Sequence, residues 1–228
     1  MSVAEQQVAE LLSLMPGGVL IFDTSFDDGC LIWVKPSGEV ISTIFDSSTR
    51  ASEGLVETLE TWMTTKDLQT LTGLVLGLGP GSFTGVRVAA ATAKGLAAAG
   101  DIQIFGLSSL RWLEKSHHVS RRVAVVIDAR QDEVYIRMAG ETEDRILSVE
   151  DCAHELKKGS VEVLISNWLP EVVQERLGFC GEVLPLHLAV DEGIGLALET
   201  IRQEAPLGAH EISPTYLKLT PAERNLTS

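Results

Sequence analysis

The 228-residue chain carries 18 Lys and Arg against 32 Asp and Glu, a formal net charge of −14 shared equally by the stretches before and after residue 110. Acid spread in this way excludes a protein that grips nucleic acid unaided, because phosphate affinity comes mainly from Lys and Arg releasing counterions. The length suits one large domain or two lobes of roughly 100 residues each, and no apolar run reaches the ~20 residues that a membrane span needs.

The N-terminus lacks a basic n-region and carries Glu5 and Glu10, so it does not read as a secretory signal, and a cytoplasmic protein is expected. Val8, Leu11, Leu12 and Met15 predict a short amphipathic helix stopped by Pro16-Gly17-Gly18. Cys30, Cys152 and Cys180 are odd in number and far apart, as expected of thiols in a reducing compartment. Three strands follow at 19–22, 30–34 and 40–44, joined by tight polar turns as in an antiparallel meander. Leu55, Val56, Leu59 and Trp62-Met63 recur at helical spacing within 51–66. A strand at 73–78 breaks at Gly79-Pro80-Gly81-Ser82, and a helix runs from about Thr84 to Ala99. A strand at 102–107 precedes a helix with Leu110, Trp112 and Leu113, which Ser108 or Ser109 can cap.

The first half therefore reads β-β-β-α-β-α-β-α. Val123–Ile127, the turn Asp128-Ala129-Arg130 and the strand 133–138 then repeat its strand–Asp–turn–strand opening. Two lobes of related topology are expected, 18–114 and 121–228, with 1–17 as a helical extension and the polar stretch 114–122 as the join.

The sharpest motif is Gly77-Leu78-Gly79-Pro80-Gly81-Ser82-Phe83-Thr84-Gly85, between a strand and a helix. Such glycines permit close backbone approach, and helix N-terminal amides attract anions, which gives a phosphate cradle. The loop lacks the Gly-Lys-Ser/Thr of a P-loop, the G-x-G-x-x-G pattern and the glycines of a nucleophile elbow. The alternative is a turn that caps the helix through Ser82 or Thr84 and lets it approach the sheet. The helix that follows has only Arg87 and Lys94 as charges and is otherwise apolar or small, so it is expected to be buried on more than one side. Its surplus face is covered either by a partner subunit or by residues 51–66. Asp23 and Asp128 end buried strands and could hold Mg²⁺ through water, or cap their own turns. No metal-ligand spacing is found among the histidines.

These residues resemble the TsaB (YeaZ) family. The likeness rests on Gly79-Pro80-Gly81-Ser82-Phe83-Thr84-Gly85-Val86-Arg87-Val88 with Ala93-Lys94-Gly95-Leu96-Ala97. Ile21–Ser25, Ile127–Tyr135 and Pro214-Thr215-Tyr216-Leu217-Lys218 extend it over about residues 19–220. The resemblance implies an actin/Hsp70-like two-lobed α/β fold with mixed sheets flanked by helices. It implies a non-catalytic subunit, without metal or cofactor, of the bacterial machinery forming N6-threonylcarbamoyladenosine at position 37 of tRNAs reading ANN codons. The partners it implies are a TsaD-like catalytic subunit and a TsaE-like ATPase, with tRNA reached only through the complex, no membrane, and a homodimer through the same surface.

On that footing Leu55, Leu59, Trp62, Val86, Ala89, Ala90, Ala93 and Ala97 are expected to bind the partner. Asp23, Thr24, Gly79, Gly81, Ser82, Thr84, Asp128 and Arg130 would line a vestigial nucleotide cleft. Four departures stand out. The chain has no H-x-x-x-H pair like the catalytic paralogue's. Ala129 and Arg130 stand where nucleotide-binding members of the fold keep glycine. The stretch Ser47–Glu53 lacks the family's usual histidine. The N-terminal helix is an addition. The rival reading is a nucleotide-dependent kinase or a peptidase-like enzyme of the same fold. Any phosphate contacts are expected around Lys115, Arg121 and Arg122.

Overall fold

The structure is a computed structural model that describes residues 2–45, 51–98, 100–208, 210–213, 215 and 217, with 51 and 52 described by backbone alone. Residues 47–50, Ala99, and Pro214, Tyr216 and Lys218 of the C-terminal motif lie outside the described residues. The chain divides into two compact units, Met1–Trp112 with His187–Pro214, and Leu113–Leu186 with Thr215–Ser228.

In the first unit, β1 (Val19–Asp23), β2 (Cys30–Val34) and β3 (Val40–Ile44) form an antiparallel meander. Strands β4 (Gly73–Gly77) and β5 (Gln103–Leu107) add in parallel on the other side of β1, giving the order β3-β2-β1-β4-β5. Every residue of β1, β2 and β4 is buried, as unbroken apolar strands require when both faces of a sheet are covered. One face carries Leu20, Phe22, Leu31, Trp33, Leu74 and Leu76 into a core closed by α2 (Ala51–Trp62) and α4 (Phe83–Ala97). The single helix expected over 51–66 is broken. Thr64 caps a new helix, α3 (Thr65–Thr70), in a reciprocal capping box with Asp67.

The opposite face is covered by a late segment of the chain, α8 (Val190–Gln203), which meets β1, β2 and β5. Gly193 makes that approach possible: a Cβ there would lie 2.3 Å from the Trp112 ring and 2.9 Å from Ile32. Helix α1 (Val3–Leu14), capped by Ser2 and Glu5, lies on α8 with Val8 and Leu11 buried and Glu10 paired to Arg202 at 2.9 Å.

The second unit repeats the pattern. Strands β6 (Val123–Asp128), β7 (Glu133–Met138) and β8 (Arg145–Ser148) are antiparallel, and β9 (Val163–Ser166) and β10 (Glu182–Leu184) extend the sheet in parallel from β6. Its order, β10-β9-β6-β7-β8, matches that of the first sheet strand for strand. Helices α6 (Val149–Lys158) and α7 (Pro170–Leu177) bury Cys152, Leu156, Val173 and Leu177 against Ala124, Val126, Val134, Ile136 and Leu164. Two mixed sheets of one topology, each flanked by helices, make this an α/β protein of the actin/Hsp70-like class. The structure divides the chain differently from the expected second lobe of 121–228. His187–Pro214 belong to the first unit, because the apolar side of α8 covers a face of the first sheet.

At the start of the second unit, α5 (Ser109–Ser116) supplies Glu114 to a buried ion cluster. Arg137 on β7 donates Nε to Glu114 at 2.8 Å, one terminal nitrogen to Asp144 at 2.9 Å and the other to the Glu141 carbonyl at 2.7 Å. All three charged side chains are under 10% exposed. Burial pulls the guanidinium pKa down, but hydrogen bonds to Asp144 and Glu114 and their charges outweigh it, and the value is raised. Arg137→Ala would strand two buried carboxylates and is expected to cost about 3–5 kcal/mol in urea unfolding, with Glu114→Gln as a milder control.

Candidate functional site

Three chain segments of the first unit meet at the carboxyl ends of β1 and β4: the turn Asp23-Thr24-Ser25, the loop 77–85 and the start of α5. Thr24 donates its hydroxyl to the Gly85 carbonyl at 2.7 Å, and Ser82 N–H donates to the Ser25 carbonyl at 2.7 Å. The Ser25 and Ser109 hydroxyls bond each other at 2.8 Å. Ser109 also accepts from Gly79 N–H at 3.1 Å, while its own N–H returns to the Gly79 carbonyl at 2.9 Å. Ser82 caps α4 by accepting from Gly85 N–H at 3.3 Å.

The glycines are explained by this closure. A Cβ would lie 1.8 Å from the Thr24 carbonyl oxygen at Gly85, 2.5 Å from the Ser25 carbonyl oxygen at Gly81, and 2.0 Å from Asp23 Oδ2 at Gly77. Gly79 adopts a φ of 87°, in the region that favours glycine. The space against the turn at these glycines is filled by the chain itself. Of the residues expected to line a cleft, the structure brings Asp23, Thr24, Gly79, Gly81 and Ser82 into one neighbourhood, whereas Thr84 is an exposed first-turn residue of α4. Ser25 and Ser109 were missed as members. The signal was present in Ser108-Ser109: one serine suffices as a cap, and Ser108 fills that role by accepting from Arg111 N–H at 3.0 Å.

Asp23 is fully buried. Its Oδ1 accepts from Ser25 N–H at 2.7 Å, while Oδ2 has no hydrogen-bond partner among the described residues. Burial raises the carboxyl pKa above its ordinary value, against the lowering pull of the Ser109 and Ser25 hydroxyls and the Ser25 amide.

In the second unit, Asp128 caps its own turn, accepting from Arg130 N–H at 2.8 Å and pairing with the Arg130 side chain at 3.6 Å. Arg130, Gln131 and Asp132 all have positive φ, 64°, 58° and 58°, a left-handed run without glycine that costs roughly 1 kcal/mol or more per residue. Ion pairing of Asp132 with Arg176, which also stacks on Trp168, holds the turn. No group of three or more His, Cys, Asp or Glu side chains suited to a metal is found among the described residues. Arg121 pairs with Glu182 and Arg122 with Glu162, so the basic stretch expected to meet phosphate is matched by acids of its own unit.

The residues expected to face a partner are mostly inside the first unit. Leu55, Leu59, Val86, Ala89, Ala90 and Ala93 are buried, and Trp62 and Ala97 are half-buried. Leu55 and Leu59 meet Ala89, Ala90 and Ala93 in the core between α2, α4 and the sheet. They hold the helix pair together, which corrects their assignment as a contact surface. What α2 and α4 present outward is a different row: Val56, Glu57 and Glu60, and Phe83, Arg87, Ala91, Lys94 and Gly95. Phe83 is 53% exposed, with the Arg87 guanidinium stacked 3.6 Å from its ring centre. Gly85→Ala is expected to destabilise the fold by about 3 kcal/mol or more through overpacking. Gly95→Ala, where nothing lies within 4 Å of a Cβ, is expected to stabilise α4 by roughly 0.5–1 kcal/mol. Urea titration of the two variants measures both.

Comparison with known proteins points one way. Residues 46–160, just over half of the chain, match the family model described as TsaD, tRNA N6-adenosine threonylcarbamoyltransferase. The chain is 29% identical over 172 residues to the tRNA threonylcarbamoyladenosine biosynthesis protein TsaB of Haemophilus influenzae, covering 66% of this chain and 72% of that protein. It is 28% identical over 183 residues to the TsaB of Bacillus subtilis, covering 68% and 73%. Among solved structures, a Pseudomonas aeruginosa protein described as similar to peptidase YEAZ superposes with a TM-score of 0.65 at 24% identity, covering 88% of this chain and 99% of that one. YeaZ from Pseudomonas aeruginosa gives a TM-score of 0.63 at 23% identity, covering 87% and 100%. These two likenesses bear on the fold, and the sequence matches bear on the family. The chain belongs to the family of the TsaD model, and within it to the TsaB/YeaZ group.

Proposed function

We propose that this chain is a non-catalytic subunit in the formation of N6-threonylcarbamoyladenosine at position 37 of tRNAs reading ANN codons. It binds a TsaD-like catalytic subunit and supports its turnover together with a TsaE-like ATPase. The observation that carries this reading is the closed loop. The glycines, hydroxyls and helix-start amides that an enzyme of this fold would turn toward a phosphate are spent here on internal bonds. The same closure fixes α4, whose outward row with Phe83, Arg87 and Ala91 is the surface proposed to meet the partner. The charge of −14 agrees with a subunit that leaves RNA binding to its partner. The rival kinase reading needs an open phosphate loop, which the bonds between Thr24, Ser25 and the loop oppose.

A homodimer is the second reading, favoured by one observation. The helix pair exposes acids on α2, Glu57 and Glu60, and bases on α4, Arg87 and Lys94, so a two-fold copy could match acid to base.

The chain alone is expected to transfer no threonylcarbamoyl group to tRNA, and to restore transfer when mixed with the catalytic subunit and the ATPase. Transfer by the pure chain would refute the proposal. Ala91→Arg, on the exposed side of α4, should leave unfolding unchanged and weaken association at least tenfold, about 1.4 kcal/mol. Unchanged association would move the interface to another face.

A further inference from the structure

We infer that Asp23 is the positioning residue of a permanent latch: a hydrogen-bonding strut that locks the 77–85 loop and the start of α4 onto the end of β1, and not a ligand for a magnesium–nucleotide. The inference goes beyond the proposed function, since it concerns the loop itself and stands whether or not a partner is found.

Nucleotide-binding members of this fold class imply a magnesium–nucleotide beside the first-strand aspartate, and the residues here do not fit one. A magnesium ligand must be ionised, reachable and joined by further oxygen donors. Asp23 is fully buried. The groups around it are the Ser25 and Ser109 hydroxyls, the Ser25 amide and the Gly77 backbone. The titratable neighbour is Cys30, its register partner on β2, whose thiol burial pushes up to about 12, leaving it neutral. From α4 the nearest cation in sequence, Arg87, turns outward onto Phe83.

An ionised carboxylate with one oxygen unpartnered in such a place is strongly disfavoured. A neutral acid is not, and it keeps the Oδ1 bond that orients Ser25. Ser25 in turn holds Ser82 through its carbonyl and Ser109 through its hydroxyl, so the strut reaches α4 and α5 through one residue.

Asp23→Asn separates the two roles, because an amide keeps the acceptor and cannot ionise. A carboxyl whose folded pKa is raised contributes its full stability below the ordinary value of 3.8 and loses it as pH rises through the folded value. The full-length wild type should therefore lose urea midpoint relative to Asp23→Asn as pH rises above the ordinary carboxyl value of 3.8. The variant should fold, and at about pH 8 equal or exceed the wild type. Asp23→Ala, which removes the strut, should fall below both at every pH. Calorimetry with Mg-ATP and with inorganic phosphate should show no saturation up to about 1 mM for either wild type or Asp23→Asn. The inference is overturned if Asp23→Asn fails to fold or is the less stable protein at about pH 8. It is equally overturned if the wild type binds Mg-ATP saturably and Asp23→Asn loses that binding.

Discussion

The approach of the Gly85 backbone to the Thr24 carbonyl, too close for any side chain, is the constraint around which the first unit is arranged. It requires glycine at 85, as the neighbouring approaches to Ser25 and Asp23 require it at 81 and 77, and it sets where α4 starts. From that start, Ala89, Ala90 and Ala93 fall on the sheet side, where small residues let the helix lie near Leu20, Phe22 and Leu76. Helix α2 then closes over them with Leu55 and Leu59. The hydroxyls of Thr24, Ser25 and Ser109 convert a close backbone contact into a satisfied polar network, as buried polar groups require. A loop built this way is a structural joint in a place where related folds put chemistry.

The two units show how one topology is put to different ends. The second runs β-β-β-α-β-α-β and the first adds only the short α3 to that order, and both end the first strand on an aspartate, Asp23 and Asp128. In the first unit that aspartate is sealed beneath a glycine loop. In the second it caps an exposed turn whose three left-handed residues, none of them glycine, are held by Asp128 and by the Asp132–Arg176 pair. The first unit also gains α8 and, on top of it, α1, so its sheet is covered by a late and an early part of the chain. The second unit contains instead a charged core at Arg137, whose two acids come from α5 and from the segment before β8.

Much of this was legible in the sequence because strand burial writes itself as unbroken apolar runs. Val19–Phe22, Cys30–Val34 and Leu74–Leu76 could hardly be anything else, and the repeat after residue 123 announced the second sheet. What stayed hidden depends on which surfaces meet. The apolar girth of α4 signalled burial on several sides, but not that its alanines face the sheet and α2 while Ala91 and Gly95 face out. Helix α8 is amphipathic in sequence, yet only Gly193 beside Trp112 shows that it serves the first sheet. Thr64 broke a helix whose apolar spacing ran on, because a local capping box outweighed the pattern. Arg137 looked like an ordinary strand residue, since its partners at 114 and 144 become neighbours only through the pairing of β7 with its surroundings. The glycines of the loop were located at once, whereas their cause, a carbonyl 1.8 Å from an added Cβ, is a distance and not a pattern.

The central claim is that the loop is closed in the free protein. Amide hydrogen exchange at Ser82, Gly85 and Val86 tests it most directly, because their N–H groups bond Ser25 O, Ser82 Oγ and Ser82 O. A closed latch predicts protection within about tenfold of the β1 and β4 amides, unchanged by added Mg-ATP. Exchange at the rate of an open loop, or protection that appears only when nucleotide is added, would contradict it.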